Sequence, residues 1–340
     1  MKKTLVALSV LSAVSTVNAA EVYKNDSVSV SIAGTAEVQL LKGWESKNES
    51  TFETEIPQDI DSCLKLESGD LTVATSVRVS ESLRAVGGLG FDLTGSEAKA
   101  DKSYVGLTNE DWGTVTFGRQ SLISDDDGIG KDYGLGYAQY GNEKQIEKEN
   151  EVVKYVYDDG KYYFGVSHAL KGEKGEGSSV TDGRIGVRVN DIDARFYVYT
   201  DDKNEEHSQN ATTAYNLEVE YDFDEALSLA ASYGAADVDA VAERVDVSST
   251  RHAEVASSYA VSDDTALSLG YVYTTERVTP IPNTTEKGKK REHQSIYANV
   301  TKQLQDNVKV YAEVGYVDQE SEKSHTSTDL AYLAGMKVTF

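Results

Sequence analysis

Apolar and polar residues alternate one by one along most of the chain. From Val28 to Leu40 the even positions read Val28, Val30, Ile32, Gly34, Ala36, Val38 and Leu40, and the odd positions read Ser29, Ser31, Ala33, Thr35, Glu37 and Gln39. A period of two marks a β-strand with one apolar and one polar face. The run is about 13 residues long, beyond the usual soluble strand. The pattern then repeats. Leu71, Val73, Val77 and Val79 oppose Thr72, Ala74, Ser76 and Arg78, and Leu83, Ala85, Leu89, Phe91 and Leu93 oppose Arg84, Gly88, Gly90 and Asp92. Later, Leu227, Leu229, Ala231 and Tyr233 oppose Ser228, Ser232 and Gly234; Leu267, Leu269, Tyr271 and Tyr273 oppose Ser268, Gly270 and Thr274; and Val308, Val310, Ala312, Val314 and Tyr316 oppose Lys309, Tyr311, Glu313 and Gly315. Sixteen strands are predicted, at 28–41, 69–79, 83–94, 102–108, 114–120, 150–157, 161–170, 183–189, 194–200, 212–222, 227–236, 251–260, 266–277, 292–302, 307–317 and 329–340. An even count lets an antiparallel sheet close with both termini on one side.

The connections add a second pattern. Very short polar turns, such as Asp158-Asp-Gly160 and Asn190-Asp-Ile-Asp193, alternate with long charged segments at 42–60, 121–149, 171–182, 201–211, 237–250, 278–291 and 318–328. Short turns at one end and long loops at the other are the asymmetry of a transmembrane β-barrel. A soluble β-sandwich also alternates, but it hides its apolar face against a second sheet and uses shorter strands. The three prolines, Pro57, Pro280 and Pro282, all fall between strand-like runs, where no ladder donor is lost.

Composition narrows the reading further. The mean hydropathy of −0.45 is low, which a barrel tolerates because only one face of each strand meets lipid. Lys2 and Lys3, the apolar run Thr4–Val14 and the small-residue site Val17-Asn-Ala19 form a signal peptide over residues 1–19, leaving 20–340 as a single barrel domain. The run is too short to span a bilayer. Net charge is −24, and loss of the two signal lysines makes it −26, from 31 basic against 57 acidic residues. That acidity argues against nucleic acid as a partner. Cys63 is the single cysteine, so no intrachain disulfide and no Cys-rich zinc site exist. Asp125-Asp-Asp-Gly128 lacks the EF-hand spacing, and none of the five histidines stands in a nucleophile motif. Neither a metal, a cofactor nor an enzyme activity is expected.

One stretch stands apart, between Lys102 and Asn150. A hairpin, Ser103–Thr108 and Thr114–Gln120, runs into a polar segment from Ser121 to about Asn150. A loop this long inside a compact domain is usually functional, and in a closed barrel it is the one best placed to fold inward and set the bore. Tyr104-Val-Gly-Leu107 followed by Gly113-Thr-Val-Thr-Phe-Gly-Arg-Gln120 resembles the general porins of Gram-negative outer membranes. Ala20-Glu-Val-Tyr-Lys is similar to the mature start of enteric porins, and the alternating end Tyr332, Ala334, Met336, Val338, Phe340 resembles the C-terminal strand that outer-membrane assembly recognises.

The resemblance implies an outer-membrane location, a third loop that constricts the pore, a homotrimer, and contact with outer-membrane lipid and lipopolysaccharide. It also implies acids on that loop facing arginines across the bore. Asp125, Asp126, Asp127 and Asp132 are the loop acids, with Arg78 and Arg84, neighbours across the turn at Glu81, as the wall cations of the constriction. Strand parity adds Glu37, Arg184, Arg188 and Arg195 to the lumen wall, along with Asp92, Glu218, Glu220 and Glu313. The chain departs from the family where Gly128-Ile-Gly-Lys-Asp-Tyr-Gly-Leu-Gly136 replaces the usual Pro-Glu-Phe-Gly-Gly stretch, and where Asp101-Lys102 stands in place of an arginine. The expected function is passive diffusion of small hydrophilic solutes and ions through a water-filled, cation-preferring channel. Two alternatives remain: an adhesin or structural barrel whose loops do the work, and a solute-selective porin.

Overall fold

A computed structural model of the protein describes residues 19–45, 58–136, 145–170, 179–201, 210–240, 247–279, 289–321, 324–327 and 329–340. Residues 1–18 of the expected signal peptide, 137–144 of the third loop and much of the other long connections lie outside the described residues. The strands are β1 (Ala20–Lys24), β2 (Val28–Glu45), β3 (Gln58–Arg78), β4 (Leu83–Asp92), β5 (Lys99–Asn109) and β6 (Gly113–Ser121). Then follow β7 (Lys148–Asp158), β8 (Tyr162–Ala169), β9 (Val180–Val189), β10 (Ile192–Asp201), β11 (Asn210–Asp222) and β12 (Leu227–Ala240). The last six are β13 (Val247–Ser262), β14 (Thr265–Thr279), β15 (Lys289–Gln305), β16 (Val308–Ser321), β17 (Ser324–Ser327) and β18 (Ala331–Thr339).

Sixteen of these form a closed antiparallel barrel, the number expected from the alternation. Each strand from β2 to β16 pairs with the next, β16 pairs with β18, and β18 closes on β2 from Tyr332↔Lys42 to Thr339↔Thr35. Phe340 completes the seam by bonding Gly34 in both directions (2.7 and 2.9 Å). Its ring lies over Gly34, where any side chain would overlap it. The short β1 pairs with the first residues of β2, and β17 folds back on β16.

The faces separate as the alternation requires. Outward positions such as Val105 (66% exposed) and Ile185 (64%) form an apolar belt, while Glu37, Gln39, Glu218 and Glu313 are buried inside. Exposed apolar side chains on a barrel wall are at home only in lipid. Several strands run longer than the expected bounds, β3 most of all: it begins at Gln58, where the alternation predicts a strand only from 69. Bulges between Glu37/Val38 and Leu41/Gly43 explain the difference. A bulge inserts one residue and flips parity, so Leu64 and Leu66 face outward on even numbers whereas Leu71 and Val73 do so on odd ones. A period of two therefore fades across that stretch.

Candidate functional site

After β6 the chain turns into the barrel, and three apolar residues fasten it to the wall. Leu122 is buried with Val152, Val180 and Tyr199; Ile129 packs on Ala230 and Ala256; Leu135 packs among Leu41, Val317 and Leu333. Burial of each contributes about 2 kcal/mol. These clusters are the apolar core of the molecule, and they lie between loop and wall.

Irregular backbone at membrane depth must find partners for its N–H and C=O groups. Wall side chains supply them in order along the loop. Ile123 and Ser124 donate to Ser167 Oγ (2.9 Å) and Asp182 Oδ2 (2.6 Å), and Gly128 donates to Glu218 Oε1 (2.6 Å). Lys131 donates its N–H to Tyr297 OH (2.8 Å), and its carbonyl accepts from Asn299 Nδ2 (2.7 Å). The Glu313 carboxylate accepts from Tyr133 and Leu135, both at 2.7 Å, and Gln39 donates to the Tyr133 carbonyl at 3.0 Å. On the return, Ile146 N–H reaches Tyr199 OH (2.9 Å). The Tyr133 ring lies flat on Tyr311, with centroids 3.6 Å apart and planes 7° apart, and Lys309 Nζ stands 4.9 Å from its centre.

The loop acids differ in their surroundings. Asp125 and Asp126 are exposed, and Asp126 is ion-paired to Arg184. Asp127 is half-buried and bonded to Asn216. Burial first, then the shared hydrogen bond with Glu218, pushes its carboxyl up to about 8. Burial also raises Asp132, against the pull of the Gly136 and Gly134 N–H groups.

Among the wall residues read from parity, Arg188, Arg195 and Glu37 are compensated by ion pairs. Arg188 bridges Asp158 (3.0 Å) and Asp193 (3.2 Å) and lies 4.0 Å from the centre of the Tyr163 ring. Arg195 is paired with Glu218 and donates to the Gly128 carbonyl at 3.2 Å. Glu37 takes Lys337 Nζ at 3.0 Å and Tyr311 OH at 2.5 Å. Arg78 and Arg84 face each other in register at the strand ends beside the turn 79–82, with Arg84 Nε on Ser76 Oγ at 2.7 Å. Among the described residues, neither is hydrogen-bonded or ion-paired to the loop. The loop's own anchors, such as Arg184 and Glu313, lie farther along their strands. At about 3.3 Å per residue, the five residues from Glu313 to the start of β16 amount to about 16 Å of strand.

Alternation found the inward face but not the anchors on it. Asn216, Tyr297, Asn299 and Tyr311 become visible only with the register known. Tyr104, Tyr163, Tyr297 and Tyr311 each lie over a glycine of a neighbouring strand, namely Gly88, Gly186, Gly270 and Gly335. The glycines leave room for an aromatic ring to lie along the wall. Among the described residues, no set of three or more His, Cys, Asp or Glu converges as metal ligands.

Comparison with known proteins agrees with this architecture. A family model described as Gram-negative porin matches residues 7–322. The porin-like protein H of Photobacterium profundum is 35% identical over the whole of both chains. The trimer form of OmpT, an outer membrane protein of Vibrio cholerae, superposes with a TM-score of 0.74 at 19% identity, covering 93% of this chain and all of the other. An anion-selective porin from Comamonas acidovorans gives a TM-score of 0.68 at 13% identity over 92% of this chain and all of that one.

Proposed function

The chain belongs to the Gram-negative porin family of outer-membrane channels, and from that premise we propose that it passes small hydrophilic solutes and ions by passive diffusion with a preference for cations. The observation that carries this reading is the loop inside the barrel, which presents exposed Asp125 and Asp126 to the lumen. Charge near a narrow passage between low-dielectric walls concentrates counter-ions. Asp125, Asp126, Asp127 and Asp132 form the proposed constriction, with Glu37, Arg184, Arg188 and Arg195 lining the lumen around it and Arg78 and Arg84 facing the bore from the strand ends. Arg184 offsets Asp126; no ion pair reaches Asp125 among the described residues.

Fold alone does not decide selectivity, since an anion-selective porin shares the architecture. The sign rests on the loop acids. A homotrimer is proposed as well, supported by the trimer form of the Vibrio cholerae neighbour. The mature chain, 20–340, is the barrel, with residues 1–19 removed on export. Reconstitution of the purified protein into planar bilayers tests the channel reading. Stepwise conductance in groups of three is expected, and a folded barrel that gives no steps would overturn it.

A further inference from the structure

Glu254 on β13 is only 9% exposed. Among the described residues it has no hydrogen-bond partner and no ion pair. Its cross-strand neighbours are Ser232 on β12 and Val272 on β14, both buried. Two residues along, Ala256 packs against Ile129 of the loop. A largely buried carboxylate without a hydrogen-bond partner gains from a cation that meets it.

Asp132 approaches the same place from the loop. Its Oδ2 accepts the N–H groups of Gly134 (3.2 Å) and Gly136 (3.0 Å), while no hydrogen bond reaches Oδ1 among the described residues. A carbon placed on Gly130 would lie 2.9 Å from Asp132 Oδ1 and 3.5 Å from Glu254 Oε1. Two carboxylate oxygens thus converge on the space over a glycine. The sum of those distances, 6.4 Å, is their largest possible separation. The cations of the neighbourhood are engaged elsewhere: Lys131 Nζ with Glu220 Oε1 at 3.0 Å, and Arg195 with Glu218.

We propose that Asp132 and Glu254 hold a partly hydrated divalent cation of the magnesium type over Gly130, in the seam between the third loop and β13. Magnesium keeps several waters and typically takes one or two carboxylates. A span of up to 6.4 Å fits an ion bound directly to one oxygen and through a water to the other. The ion adds positive charge beside Glu254, where the nearby Lys131 is already ion-paired to Glu220, and it ties the loop to β13. Its electrical effect rests on the reading of the chain as a channel; its binding does not.

Two measurements on the full-length protein test the site. In single-channel recordings in KCl, added MgCl₂ should lower the conductance to a plateau. Glu254→Gln and Asp132→Asn should each raise the half-effective concentration about tenfold or more, as loss of a charged ligand does. Gly130→Ala keeps both carboxylates and should have the same effect, because its methyl group takes the place of the ion. Glu225→Gln, exposed in the turn between β11 and β12 and away from the bore acids, should keep the magnesium response. Titration with Mn²⁺ followed by electron paramagnetic resonance, on folded protein in detergent, reads binding without current. One tightly held ion per chain in the unmodified protein, lost in Glu254→Gln, is the expected result. No tight Mn²⁺, or a magnesium response alike in all variants, would overturn the site. Absence of any steps in KCl alone would count against the channel reading, and the Mn²⁺ titration would still decide the site.

Discussion

At the scale of single residues, the loop is held by side chains whose chemistry makes them separable. Asp127 is the clearest case. Its carboxyl is raised to about 8 by burial and by the hydrogen bond with Glu218, so the folded protein keeps a proton that the unfolded chain has given up. The stability tied to that proton is present below the ordinary carboxylate value and is lost as pH rises through the folded value. The same rise places a negative charge beside the bore. Cation preference should therefore increase across about pH 7–9, the denaturation midpoint in detergent should fall between about pH 4 and 8, and Asp127→Asn should flatten both curves. A pH-independent preference in the unmodified protein would rule this out. Glu313 is the second case, a buried carboxylate that accepts from Tyr133 and Leu135. Glu313→Ala leaves two N–H groups without an acceptor and should destabilise the protein by about 3 kcal/mol. Glu313→Gln, which keeps one acceptor oxygen, should cost less. An unchanged unfolding midpoint for Glu313→Ala would show that the loop is held by its apolar contacts alone.

At the scale of elements, strand and ring fit each other. Tyr297 lies over Gly270 of β14, and its hydroxyl receives the Lys131 N–H. Gly270→Ala would drive a methyl group into the ring, move the hydroxyl and release the loop at Lys131. Overpacking of this kind costs about 1–3 kcal/mol, and larger current fluctuations in single-channel records should accompany it; quiet records would mean that Tyr297 does not position the loop. Elements also set the limit of what the alternation reveals. The strands were legible because period two is a local property, and the hairpin before the third loop was legible from its residues. Strand β3 was partly hidden, since a bulge at its own Glu67 resets parity between Leu66 and Leu71. The acids Asp125 to Asp127 were legible as a cluster, but not the division between exposed Asp125 and half-buried Asp127. That division depends on Asn216 and Glu218, about 90 residues away in sequence, and no local pattern carries such a distance.

At the scale of the whole molecule, the barrel turns one face of every strand to lipid and gathers its charge inside. Most inward charges cancel in pairs: Arg188 with Asp158 and Asp193, Arg195 with Glu218, Glu37 with Lys337. The net charge of −24 is spread over the whole sequence. At 0.1 M salt, screening acts over about 10 Å, so charge on distant loops does not reach the ion path, and the inward loop dominates, through Asp125 and, once its proton is lost, Asp127. The measurement that tests this most directly is the zero-current potential in a KCl gradient, compared between the unmodified protein and the triple variant Asp125→Asn, Asp126→Asn, Asp127→Asn. A cation-preferring potential that moves towards anions in the variant is expected, the more so because Arg184 is then left without Asp126. A potential that stays where it was would mean that the third loop does not set the selectivity of the bore.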